Sequence, residues 1–405
     1  MANEHYLSET IFERLLDDDV TAERHRCSIQ REGEVFYNNT LTNDLNWKKY
    51  FPWKRFRTNQ DIIGLPITKT IIEKIIAATR DSVTIESDNQ TRIEEMYTKY
   101  NLDVLIKKIM RETLALGQIT QWLKWDNDNV VIEQWKPWYV FSTKDGVIKY
   151  YAVHKGTMIP AIDGDIPKGA DVFIEYVTSD TWTIWQNGTI IWDETHGLPY
   201  LPIQIWNNID LWGNKWGQPY SERFKNLLIK LNQLVSASHR QILALPTVWT
   251  TTKDFTDDMN PLDISPDYIN FVGSDKDLSQ TTRQLDLTWE SSFFDKYIAQ
   301  IYDVAQMPPK EFLEGAGKVE SGIALEIVYK QFNELVSDIS RLFQDYEEEL
   351  IKKIYFMETG QELNNIQISY SNSATPRNEA QEFERDKQLL EIGVYTLEEF
   401  TAKWK

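Results

Sequence analysis

Apolar residues recur at three- and four-residue steps along most of this chain, interrupted by one block in which they alternate. In Leu65-Pro-Ile-Thr-Lys-Thr-Ile-Ile-Glu-Lys-Ile-Ile-Ala77 they fall at 67, 71, 72, 75 and 76, which predicts a helix with Thr68 as its N-cap. A second helix is expected over 103–116, with Leu105, Ile109, Leu114 and Leu116 on one face and Gly117 as its stop. From 119 to 206 the pattern changes to short runs of Val, Ile, Trp and Tyr, divided by turn sequences such as Lys144-Asp-Gly146 and Asn187-Gly188. The plainest hairpin is Trp182-Thr-Ile-Trp-Gln-Asn-Gly-Thr-Ile-Ile-Trp192, whose Asn187-Gly188 pair tolerates the positive φ angles of a type I′ turn.

Helical spacing returns after Gly217-Gln-Pro219. Ser221 is expected to cap a helix carrying Phe224, Leu227, Leu228, Leu231, Leu234, Val235, Ile242 and Leu245 up to Pro246. Residues 247–287 are polar and hold Pro261, Pro266 and Gly273, an excursion between helices with a short strand near 268–272. Another helical run, through Trp289, Phe293, Tyr297, Ile301 and Val304, stops at Pro308-Pro309. After Ser321 comes the longest helix, with a seam of Leu325, Val328, Phe332, Leu335, Ile339, Leu342 and Tyr346. Ile327, Val336 and Phe343 are expected on its outward face, which argues against a self-contained coiled coil. The tail, 378–405, is helical in two pieces split at Ile392-Gly393-Val394, and Thr396 with Glu399 forms a capping box. Residues 7–53 are expected as short helical pieces and loops, an arm lying on another surface. The whole pattern is α+β.

Fifteen Trp and nineteen Tyr exceed what one core needs and favour subunit interfaces. The formal net charge of -19 makes the surface repel polyanions, which excludes a tight DNA binder. A single cysteine, Cys27, rules out an intrachain disulfide framework and fits a reducing cytoplasm. Neither a signal-peptide pattern at the N-terminus nor an apolar run long enough to span a membrane is present, so no membrane association is expected.

Catalytic chemistry finds no anchor. The five histidines, His5, His25, His154, His196 and His239, show no metal-ligand spacing, and no metal or cofactor is implied. Glu311-Phe-Leu-Glu-Gly-Ala-Gly-Lys-Val319 has some features of a phosphate loop, yet Phe312 replaces its first glycine and Val319 its magnesium-binding hydroxyl. A Trp-rich cleft with a carboxylate pair, as in a carbohydrate-active enzyme, stays open as an alternative. So does another virion structural or adaptor protein. The expectation is that the chain is not an enzyme.

The order of the elements is more informative than any one motif. Two helices, a β insertion, a long helix, a polar excursion, a helix, a Pro-Gly loop and a very long helix together resemble the portal proteins of tailed double-stranded DNA bacteriophages. Local stretches agree. Leu198-Pro-Tyr-Leu-Pro-Ile-Gln-Ile-Trp-Asn-Asn208, Gly217-Gln-Pro-Tyr-Ser221 and Leu231-Asn232 are similar to the approach to a portal stem helix, and Ala244-Leu-Pro-Thr-Val-Trp249 resembles its exit into the clip. Ile301-Tyr-Asp-Val-Ala-Gln-Met-Pro-Pro309 followed by Glu320-Ser-Gly-Ile-Ala-Leu325, and the closing Leu389-Leu-Glu-Ile-Gly-Val-Tyr-Thr-Leu-Glu399, match the family's later elements. The likeness spans about residues 60 to 405. The short C-terminus leaves little room for a crown.

The resemblance implies a portal-type fold assembled as a ring, most simply a dodecamer: an N-terminal arm (1–60), wing helices (61–118), a β-rich wing region (119–217), a stem helix (218–246), a small α/β clip (247–287), a second stem helix (288–306), a tunnel loop (307–321), a long wing helix (322–358) and a C-terminal wing segment (359–405). It assigns Lys310, Glu311, Glu314, Gly315, Gly317, Lys318 and Glu320 to the loop that meets DNA. Asp254, Asp257, Asp258, Asp275 and Lys276 become the clip's partner surface. The implied partners are double-stranded DNA in transit, held weakly and without sequence preference, the large terminase subunit, the major capsid or scaffolding protein, and a head-tail adaptor. The implied location is the portal vertex of the virion, after synthesis in the host cytoplasm. An acidic stem would limit friction on the duplex, since each neutralised phosphate adds affinity.

Overall fold

A computed structural model describes residues 2–42, 47–51, 62–126, 129–164, 166–208, 216–243, 248–250, 279–281, 288–309 and 322–371, together with Lys387, Leu390 and Thr396. The chain is α+β and divides into two units, one of residues 1–37, 68–222 and 306–405, the other of 38–67 and 223–305.

In the first unit, α1 (Ala2–Leu15) and α2 (Val20–Tyr37) precede α4 (Ile67–Thr79), β1 (Ser82–Ser87), α5 (Gln90–Tyr100) and α6 (Leu102–Leu116). Gly117 ends α6 at φ 88°, a conformation that costs glycine nothing, and its N–H donates to Thr113 O. Thr68 does not cap α4; it lies inside the helix and is buried.

The β block builds two sheets. Strand β2 (Gln118–Asp126) is central between β3 (Asn129–Trp135) and β10 (Ile203–Asn207). A six-stranded sheet contains β4 (Val140–Ser142), β5 (Gly146–His154), β6 (Thr157–Pro160), β7 (Asp171–Thr178), β8 (Thr181–Gln186) and β9 (Thr189–Thr195). Strands β5, β7, β8 and β9 follow one another in antiparallel register, while β4 and β6 share the far side of β5. The β8–β9 turn has Asn187 at φ 50° and Gly188 at φ 84°, as the Asn-Gly pair requires. Trp122, Val140, Val147, Val177 and Ile203 form a core that joins residues of both sheets, with Trp135, Tyr139, Trp182, Leu201 and Ile205 packed around it.

The longest helix, called α9 here (Gly322–Thr359), packs on β10 and on β13 (Ile366–Ser371), and β13 pairs antiparallel with β1. Its buried stripe includes Tyr329, Phe332, Val336, Ile339, Phe343, Leu350 and Ile354. Val336 and Phe343 therefore lie at the centre of the packed face, whereas Leu342 and Tyr346 are half-buried and only Ile327 of the expected outward set is exposed. The reason is periodic: a straight helix at 3.6 residues per turn drifts off a seven-residue seam.

Residues 2–37 form two helices that pack on the rest of the first unit. Phe12 is buried, stacked on Tyr150 and edge-on to Phe141. On α2, the buried positions Glu23, Cys27, Gln30, Gly33 and Phe36 recur at helical spacing against α6 and the 137–139 turn. Arg26 lies 4.4 Å from the Trp216 ring centroid and donates to Val140 O at 2.9 Å.

The second unit contains α3 (Trp47–Tyr50), α7 (Lys225–Leu243), β11 (Val248–Thr250), β12 (Ser279–Thr281) and α8 (Thr288–Val304). Ser221, expected as a cap, instead lies buried in the 3-10 turn Tyr220–Arg223. The tail expected to be helical over 378–405 lies outside the described residues, apart from three isolated positions.

Candidate functional site

The two helices flanking the polar excursion pack against each other. Helix α7 leads to β11, β12 leads to α8, and the two strands pair antiparallel with Val248 opposite Thr281 and Thr250 opposite Ser279. The excursion thus leaves and returns through one narrow neck. This is a helical hairpin with a two-stranded neck, and 251–278, which join the two strands, lie outside the described residues.

On α7, Leu228 and Leu231 supply apolar burial, but Asn232, Gln233 and Ser236 are buried too. Each binds the backbone of an earlier segment. Leu65 N–H donates to Asn232 Oδ1 at 3.0 Å, Ile63 N–H donates to Ser236 Oγ at 2.9 Å, and Gln233 Nε2 donates to Tyr50 O at 2.6 Å. These side chains give irregular backbone the partners it would otherwise lack. Sequence patterning missed them because polar residues on a helix read as solvent-facing.

Helix α8 buries Ile301, and Ala305 just beyond its end is buried as well, while Phe293 and Val304 are exposed. Charge divides unevenly. Helix α7 carries Lys225, Lys230, His239 and Arg240 with no carboxylate; α8 carries Glu290, Asp295 and Asp303 against Lys296. The acidic excess of the hairpin thus belongs to α8.

The residues assigned to a DNA-contacting loop, Lys310, Glu311, Glu314, Gly315, Gly317, Lys318 and Glu320, lie outside the described residues. So do Asp254, Asp257, Asp258, Asp275 and Lys276. What is described is their frame. Gln306, at φ 51°, follows the end of α8, and α9 begins at Gly322.

A second cluster bears on carboxylate chemistry. Between the sheets, Lys149 Nζ lies 2.6 Å from Glu175 Oε1, which also accepts from Tyr151 Oη at 2.7 Å. Lys124 Nζ lies 2.8 Å from Glu133 Oε2 and 3.9 Å from Glu175 Oε2. Lys149 is 4.0 Å from the Trp135 ring centroid and 4.8 Å from that of Trp122, while Lys124 is 5.0 Å from that of Trp182. Lysines therefore already occupy the indole faces on which a sugar would stack, and both carboxylates are committed to them. Burial, the largest single influence, pushes Glu133 upward, but its bond to Lys124, the charges of Lys124 and Lys149 and the Trp135 N–H together hold it below the ordinary carboxylate range.

Cys27 offers no nucleophile at neutral pH. It is buried, and desolvation pushes its thiol up to about 11. No described helix is long and apolar enough to cross a membrane, and no group of three or more His, Cys, Asp or Glu among the described residues could hold a metal ion.

No protein-family model and no curated protein matches this sequence.

Proposed function

We propose that this chain is the portal protein of a tailed double-stranded DNA bacteriophage, the ring subunit through which the genome is packaged and later ejected. One observation carries the reading: α7 and α8 form a hairpin whose intervening segment is gathered at its base by the β11–β12 pair. That is what a stem bearing a clip requires. A connection of this length between two packed helices is uncommon unless it serves a partner. Under this reading 251–278 docks the terminase motor and then the head-tail adaptor, and the β-rich unit forms the wing facing the shell.

The charge division of the hairpin refines the mechanism. A wall that must pass DNA without holding it is negative, because every neutralised phosphate adds affinity and hence drag. Helix α8, with the acidic excess, faces the duplex, and α7, whose polar stripe is taken up by the 50–66 backbone, stands behind it. Lys310 and Lys318 then supply weak, sequence-independent contacts from the loop after α8, where Gly315 and Gly317 permit changes of backbone conformation. The test is the assembly state of the purified chain, where closed rings are expected and a monomer contradicts the reading.

A further inference from the structure

Two edges of the six-stranded sheet meet no other described strand. On one side, β9 is exposed along its length, with Ile190 54%, Ile191 52% and Trp192 49% accessible. On the other side β4 and β6 share the edge, and β4 is closed over. Arg26 Nη2 donates to Val140 O, and Asp17 N–H donates to Ser142 O. Strand β6 pairs with β5 alone, and its Thr157 and Met158 are exposed. An uncovered seven-residue edge strand without lysine or proline, with three consecutive exposed apolar residues, is a template for pairing, and native proteins seldom leave one without a use.

We propose that β9 of one copy pairs antiparallel with β6 of a second copy, so that the two sheets join edge to edge. With Trp192 opposite Met158, Ile191 falls opposite Ile159 and Ile190 opposite Pro160, which sets apolar residues against apolar residues. The same register carries Glu194 and Thr195 alongside Gly156 and Lys155, so the acidic end of β9 meets the basic turn before β6. Pro160, which has no N–H, falls at the last rung, where its loss matters least. Pairing β9 with another β9 would instead bring two acidic strand ends into one short ladder. Because β9 and β6 are different surfaces, the contact is head to tail and continues from copy to copy until the rotation closes. In that respect the inference rests on the ring reading, to which it adds a named subunit contact.

The test is a disulfide ladder in the full-length chain carrying Trp192→Cys and Met158→Cys. Within one chain β6 and β9 are separated by β5, β7 and β8, about 19 Å at the usual strand spacing, too far for an internal bridge. Diamide oxidation is expected to give a ladder of covalent multimers on non-reducing gels that reductant collapses, and neither single variant should give it. Rings that persist in electron micrographs without a ladder would overturn this contact and leave the portal reading standing; monomers without a ladder would overturn both. Efficient dimerisation of Trp192→Cys alone would replace β6 by a second β9. As a check independent of cysteine, Ile191→Lys should raise the concentration needed for assembly about tenfold, and adding Ile159→Glu, directly opposite in this register, should restore it. Failure of that restoration also contradicts the register.

Discussion

Arg80 and Glu347, separated by 267 positions in sequence, meet at 2.9 Å with both side chains fully buried. Arg80 also bonds Asp103, while Glu347 accepts from the hydroxyls of Tyr97 and Tyr370. The group joins the end of α4 to α5, α6, α9 and β13. Burial works against the guanidinium charge, yet Glu347 and its neighbours hold Arg80 above its ordinary value. Arg80→Met strands the carboxylate and should cost about 3–5 kcal/mol in urea unfolding, whereas Tyr370→Phe should cost about 1 kcal/mol. A change below about 1 kcal/mol for Arg80→Met would contradict the assignment of this pair as a staple.

Lys149 and Glu175 make a second buried pair with a different pH signature. Burial pushes Lys149 down to about 8 from the ordinary 10.5, although Glu175 opposes this. The unfolded chain then binds this proton more strongly than the folded one. This residue's contribution to stability is therefore flat below pH 8, rises between 8 and 10.5, and is flat again above. Subtracting the unfolding free energies of Lys149→Met from those of the native chain should reveal that rise; a constant difference across the window contradicts it. Lys149→Met alone should cost about 3–5 kcal/mol, and adding Glu175→Met should recover most of the loss.

Gly33 tests whether the N-terminal helices belong to the fold. A Cβ there would lie 2.3 Å from Ala115 O and 2.6 Å from Pro219 Cβ, so α2 approaches α6 as closely as a glycine allows. Gly33→Ala should cost about 1–3 kcal/mol by forcing α2 outward. An unchanged Tm would contradict this close packing of α2 on α6.

Much of this architecture is legible in the sequence, and the exceptions share a cause. The hairpin at 187–188 and the stop at Gly117 rest on backbone conformations that few residues adopt, so their residue types announce them. Helix α2 buries Glu23, Gln30 and the Arg26 guanidinium, so its inner face is polar and hydrophobic periodicity is silent there. Strand β1 alternates, but its partner β13 lies at the other end of the chain, and no local pattern predicts such a pairing. For the candidate site, the two helices follow from helical spacing around a polar excursion, whereas the β11–β12 neck carries no local signal in the sequence. Nor does the clamp of Asn232, Gln233 and Ser236, because its partners are backbone atoms of another segment.

The loop and clip assignments make a paired functional prediction. Lys310→Glu with Lys318→Glu should leave assembly intact and alter packaging or DNA retention in vitro; unchanged packaging removes these lysines from the mechanism. Thr250 lies opposite Ser279, so 251–278 can be replaced by an Asn-Gly turn without disturbing the hairpin. That variant should fold and assemble yet fail to dock the motor. Packaging by rings that lack the segment would exclude it as the clip.

Single-particle electron microscopy of the purified full-length chain bears most directly on the portal reading. Rotationally symmetric rings with the α7–α8 hairpins around a central channel wide enough for a B-form duplex are expected. A population of compact monomers, or rings in which those hairpins lie away from the channel, would contradict that reading.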